Sequence, residues 1–184
     1  MNCSKTEKAG GLTARSRQGI RETLSRLHND IEARLRVIRD SHNDWLCRMG
    51  CDTCCRQLAD MPRFSAEEWK LLQDGLATLS QEQLQKIEEN IAASTGQPGT
   101  NFVCPLLDRS AGACMVYSFR PVVCRTYGFY VRRGKGVYCN KIESCVDEGF
   151  LAGVIWGNHD AIDQRLNSLG ETRELSDWFA ERKK

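Results

Sequence analysis

The chain is 184 residues long, with ten cysteines, 41% hydrophobic residues and a formal net charge of +2 from 26 Lys and Arg against 24 Asp and Glu. That length accommodates one domain of ordinary size. The near-neutral balance excludes whole-molecule attraction to nucleic acid, and no run approaches the roughly 20 apolar residues of a membrane-spanning helix. The first twenty residues carry no apolar signal-like segment, so a cytoplasmic location is expected. Thiols stay reduced there, and ten cysteines then argue for metal ligation rather than disulfides.

Residues 1–17 read as a flexible polar tail in which Cys3 is incidental. Over 18–46 the apolar residues Ile20, Leu24, Leu27, Ile31, Leu35 and Ile38 step by three or four, the stripe of one long amphipathic helix that packs on the domain. The cysteine-bearing domain is expected over 47–145. Within it, Ser65 with Glu68 and Ser80 with Gln83 are capping-box pairs ahead of two helices, with Trp69, Leu72, Leu76, Leu84, Ile87 and Ile91 on their buried faces. Gly96 is expected to stop the second helix, and Gln97-Pro98-Gly99 to turn the chain. This cysteine-free pair is expected to bridge and cover the two cysteine arms. The segments 127–131 and 137–139 flank a glycine-bearing loop and predict a short β-hairpin. Residues 146–184 read as C-terminal helices broken near Gly170. The expected fold class is mainly α: a small cysteine-rich, metal-centred domain of helices with irregular loops and one short hairpin.

The most specific signal is the run Cys47-x3-Cys51-x2-Cys54-Cys55, followed by Cys104, Cys114, Cys124, Cys139 and Cys145. Thiolates gathered without a histidine select zinc or iron with sulfide. Cys47, Cys51 and either Cys54 or Cys55 are expected to share a centre with thiols from the second arm. Eight thiols would fill two four-ligand sites, or one site with the remainder structural or reactive. From Cys104 to Lys141 there are seven basic residues and one acid, Asp108; these either offset thiolate charge or form a solvated basic face. Arg120 and Arg125 flank Cys124 and are candidate donors to sulfur or to an anionic cofactor. Tyr117, Phe119, Tyr127 and Phe129 would shield a centre from water or belong to the ordinary core. His42 and Cys145 stand as open ligand candidates. His28 reads as a surface or packing residue, and His159 sits by a helix start that Asn158 or Asp160 is expected to cap. The pairs Glu67-Glu68 and Glu88-Glu89 read as exposed helical carboxylates.

Several separated blocks agree in residue type and order with a known pattern: the Cys47 run, Cys104-Pro105-Leu106-Leu107, Gly112-Ala113-Cys114 with Val116-Tyr117, and Arg120-Pro121-Val122-Val123-Cys124-Arg125-Thr126-Tyr127. Together they resemble the YkgJ-like cysteine-cluster family of zinc- or iron-chelating proteins, with Cys139 at a further cysteine position of that pattern. The resemblance implies a metal centre drawn from Cys47, Cys51, Cys54, Cys55, Cys104, Cys114, Cys124 and Cys139. It would hold zinc or an iron–sulfur cluster, of the 4Fe–4S type where iron is used. Because the family includes a flagellin lysine N-methylase with an iron–sulfur cluster, the resemblance also implies an alternative to a plain metal-binding module. That alternative is a cluster-dependent enzyme acting on a protein substrate or partner by methyl transfer or redox chemistry. No glycine-rich adenosine loop accompanies the motif. A nucleic-acid-binding zinc ribbon is disfavoured by the lack of paired C-x2-C knuckles. The sequence sets no oligomeric state.

Overall fold

The structure is a computed structural model that describes residues 14–94 and 102–182, with side chains from residue 23 onward. The leading helix α1 spans Ala14–Ser41, so it begins inside the stretch expected as tail; residues 1–13, with Cys3, lie outside the described residues. Ala14, Arg15, Arg17, Gln18 and Arg21 favour helix in its first turns and outweigh Gly19. It ends five residues short of 46. There the Ser41 hydroxyl donates to Val37 O at 2.9 Å and the His42 ring lies 3.3 Å from Ile38 O, satisfying terminal carbonyls. Turns at His42 and Trp45 then lead to Cys47. From Leu24 onward the expected stripe is buried, with Leu24, Leu27, Ile31, Leu35 and Ile38 at most 4% exposed.

Strand β1 (Arg63–Ser65) runs into α2 (Ala66–Leu76), which is followed by α3 (Gln81–Ser94). Both capping boxes form. Ser65 N donates to Glu68 Oε2 at 2.8 Å while Glu68 N donates back to Ser65 Oγ, and Ser80 and Gln83 exchange the same two bonds. The expected stop at Gly96 and turn at 97–99 fall outside the described residues. Two-residue strands β2 (Leu107–Asp108) and β3 (Ala113–Cys114) pair next, and α4 (Val122–Thr126) follows Pro121. The expected hairpin forms from β4 (Tyr130–Arg132) and β5 (Lys135–Val137). Its loop is only Arg133-Gly134, both at positive φ (48° and 73°), the conformation that a two-residue hairpin turn requires.

The C-terminal part departs from a helical block starting near 147. Helix α5 spans Asn140–Asp147 and stops before Gly149, whose φ of 80° few other residues adopt. After an irregular stretch come β6 (Gly157–Asn158), α6 (His159–Asn167), β7 (Thr172–Glu174) and α7 (Leu175–Arg182). The break at Gly170 is present, but it leads into a strand. β7 pairs antiparallel with β1 across more than a hundred residues, and β6 adds to β4 in parallel. Such pairings carry no local signature.

Two apolar cores result. One joins the α1 stripe to Trp45, Val122, Phe129, Tyr130, Ile142 and Ile162. The other joins Leu72 and Leu76 of α2 to Ile87 and Ile91 of α3, Leu175 and Phe179 of α7, Phe64, Leu106 and Val116. Among the described residues no helix is long and apolar enough to cross a membrane.

Candidate metal centre

The first cysteine arm is a chain of tight turns. Gly50 takes φ 88°, and Cys51 N donates to Arg48 O at 3.0 Å, which turns the chain between Cys47 and Cys51. Cys54–Arg56 is a single 3₁₀ turn, so consecutive cysteines point in different directions, with Cys54 Sγ 3.9 Å from Cys55 Sγ. The second arm is fastened to the first through the backbone. Leu58 and Phe102 exchange bonds of 2.9 and 3.0 Å, and Cys104 N donates to Cys55 O at 2.7 Å. The β2–β3 register sets Cys114 opposite Leu107. Cys124 rides on α4, and Cys139 caps α5, its carbonyl accepting from Ile142 and Glu143.

The thiols fall into two neighbouring groups. Cys104 belongs to the α2–α3–α7 core, and Cys55 and Cys114 pack against it. Cys47 and Cys139 pack against the α1 core. Electrostatics divide them the same way. Burial, then Cys54, Cys51 and Cys139, push the Cys47 thiol from 9.0 to about 12, against the pull of Arg120. A hydrogen bond with Cys104, burial and nearby Cys114 push the Cys55 thiol to about 12, although its bond with Cys54 pulls the other way. Burial, then Cys114, Cys55 and Cys54, raise the Cys124 thiol well above 9.0. Cys54 faces both groups, and its own thiol is raised by its bond to Cys55 and by burial. Each of these shifts is the response of crowded, half-buried thiols that a cation would reverse.

The donor chemistry therefore fits zinc or iron. Among the described residues no three His, Cys, Asp or Glu side chains stand in closed ligating geometry. Cys47 Sγ lies 3.4 Å from Tyr127 O and Cys51 Sγ 3.8 Å from Thr53 Oγ1, weak thiol hydrogen bonds that deprotonation on a metal would release. The nine cysteines among the described residues are free thiols.

The two arginines differ. Arg120 stacks on Tyr117 at 3.5 Å and donates to Tyr117 O at 3.0 Å. It is also the cation that lowers the Cys47, Cys114 and Cys124 thiols, so it faces both groups. Arg125 is spent on structure: its donors reach Glu32 at 3.1 Å, Arg120 O at 2.8 Å and Ser118 O at 2.6 Å, tying α4 to α1. His42 is held against Ile38 O and the edge of Trp45, and Cys145 lies six residues beyond Cys139, roughly 9 Å along a helix. Phe129 is ordinary core, stacked on Trp45. Tyr127 borders the Cys47 group, its phenol raised to about 12 by burial and by Cys54, Cys139 and Cys47.

Four supporting residues are not visible in the sequence pattern. At Gly128 a Cβ would stand 2.8 Å from Cys47 Cβ and Sγ, and φ is 88°, so only glycine lets the hairpin approach this thiol. Glu68 is buried rather than exposed; its Oε1 accepts from Val122 N at 2.9 Å, so one carboxylate joins the start of α2 to the helix bearing Cys124. Its neighbour Glu67 is buried as well, because α2 turns this face toward α1. His159 is also buried, between Thr126 Oγ1 at 3.1 Å and Asp163 at 3.1 Å, while Asn158 supplies the expected cap of α6. A serine-containing capping box signals only the Ser65 bond; the Val122 bond is a tertiary contact.

A family model described as "CxxCxxCC: Putative zinc- or iron-chelating domain" matches residues 46–146. No curated protein matches the chain, and no solved structure does.

Proposed function

This chain belongs to the CxxCxxCC family of zinc- or iron-chelating domains, and we propose that it holds its metal through eight thiolates in two adjoining sets. One set is Cys47, Cys51, Cys54 and Cys139; the other is Cys55, Cys104, Cys114 and Cys124. Packing carries the reading: Cys47 and Cys139 lie against one core, Cys55, Cys104 and Cys114 against the other, and the groups meet at the 3.9 Å contact of Cys54 with Cys55. Four thiolates on a divalent ion leave excess negative charge, and Arg120 lies where it offsets that charge for both sets.

In this reading the protein is a cytoplasmic metal-binding module, taking zinc or an iron–sulfur cluster, whose centre locks the two arms and the two cores together. Anaerobic purification followed by zinc, iron and acid-labile sulfide analysis tests the reading. Zinc alone, or iron with matching sulfide, is the expected content. A folded chain free of zinc and iron contradicts it.

A further inference from the structure

A cavity of about 340 Å³ opens beside α1 and α2, and none of its lining residues is a cysteine. Leu24 and Leu71 give it apolar walls, while Glu32, Glu67 and Asp74 bring three carboxylates. Glu67 has a side chain 4% exposed, and its Oε1 is 2.5 Å from Lys70 Nζ. Its Oε2 is buried with no hydrogen-bond partner, and so is His28 Nε2, on a second residue lining the same cavity. Buried polar atoms are ordinarily satisfied, so two orphan atoms on residues that line one cavity call for a ligand that serves both.

We propose that this cavity binds a small organic ammonium ion, which donates N–H bonds to Glu67 Oε2 and His28 Nε2 and lays its carbon chain against Leu24 and Leu71. An ammonium offers three donors on one centre. An anion would meet three carboxylates and find Arg125 already committed to Glu32 and two backbone carbonyls. Burial, with Arg125 close by, lowers His28 to about 4, which keeps the ring neutral; with its proton on Nδ1, Nε2 is an acceptor. The inference stands apart from the thiol centre and does not rest on it.

The test is a titration of the full-length, metal-loaded protein with butylammonium, butanol and butyrate, read by calorimetry and by the His28 imidazole NMR signals. Saturable butylammonium binding with a Kd on the order of 1 mM is expected for so few atoms, accompanied by movement of the His28 signals. Glu67→Gln should weaken it at least about tenfold, since a charge-assisted bond is lost. Asp74→Asn, on the exposed rim, should weaken it about twofold. Butyrate should not bind. Equal affinity for butanol, an unmoved His28 signal, or no saturation at 50-fold that concentration would overturn the proposal. Should Glu67→Gln fail to fold, the His28 signals and the Asp74→Asn comparison decide the matter unaided.

Discussion

The core under α1 and the core under α2 enclose similar side chains but recruit them in opposite ways. Leu24, Leu27, Ile31, Leu35 and Ile38 arrive from one uninterrupted helix, so nearly half of that core is specified by a single periodic stripe. The other core collects Phe64 from β1, Leu72 and Leu76 from α2, Ile87 and Ile91 from α3, Leu106 and Val116 from the second arm, and Leu175 and Phe179 from α7. Each piece is short, and the ladders that align them, β1 with β7 and β2 with β3, are two or three residues long. The lesson concerns where a metal is needed. Cys55, Cys104 and Cys114 sit against the core assembled from distant fragments, where chain entropy opposes closure most.

Removing the metal should therefore break the symmetry between the cores more than any substitution. A structural thiolate site contributes on the order of 10 kcal/mol. Chelation at neutral pH should release amide protection in β2, β3 and the Cys104 loop before α1, as read by hydrogen exchange. Uniform loss across both cores would dissolve the distinction.

Truncating one residue in each core comes next in size. Leu72→Ala and Ile31→Ala each remove a fully buried side chain and should each cost about 2–5 kcal/mol in urea unfolding. Leu72→Ala should also weaken metal retention at the Cys104 side, and Ile31→Ala at the Cys47 side; metal competition with a coloured chelator distinguishes the two.

Gly128→Ala sharpens the comparison at one thiol. The added methyl collides with Cys47, and the φ of 88° is strained for alanine, for a cost of about 1–3 kcal/mol. Metal should be lost from the Cys47 set while the Cys104 set keeps its content. An alanine variant with full metal content would remove Gly128 from the site.

The smallest effect is acid dependence on the α1 side. His28 is lowered from 6.5 to about 4 by burial and by Arg125. The unfolded chain therefore takes up this proton first as pH falls. The contribution of neutral His28 to stability is complete above pH 6.5 and is lost as pH drops toward 4. Allowing for partial exposure, the loss is on the order of 1 kcal/mol between pH 6.5 and 5. His28→Gln should flatten that slope relative to the parent in paired unfolding curves, and an unchanged slope would remove His28 as its source.

Legibility in the sequence followed the same division. The α1 stripe, both capping boxes and the β4–β5 hairpin carry their signal within a few residues, and all are present in the structure. The extent of α1, the early start of α5 and the strand after Gly170 were misjudged, because helix ends depend on caps and on neighbouring chain rather than on periodicity. Glu67 and Glu68 read as surface carboxylates because the α1 face and the α4 N-terminus that cover them are remote in sequence. Thiol spacing identified the cysteines as a cluster. It carried no sign of which core each would face, nor that Arg120 would turn to the thiols while Arg125 turned to Glu32.

The most direct test of two adjoining thiolate sets is the metal content per chain of Cys47→Ser, Cys114→Ser and the double variant, measured with the parent under anaerobic conditions. Two sets predict that each single change removes half of the parent's metal and that the double change removes nearly all of it. If either single change empties the protein, or if neither alters its content, the eight thiols do not form two sets.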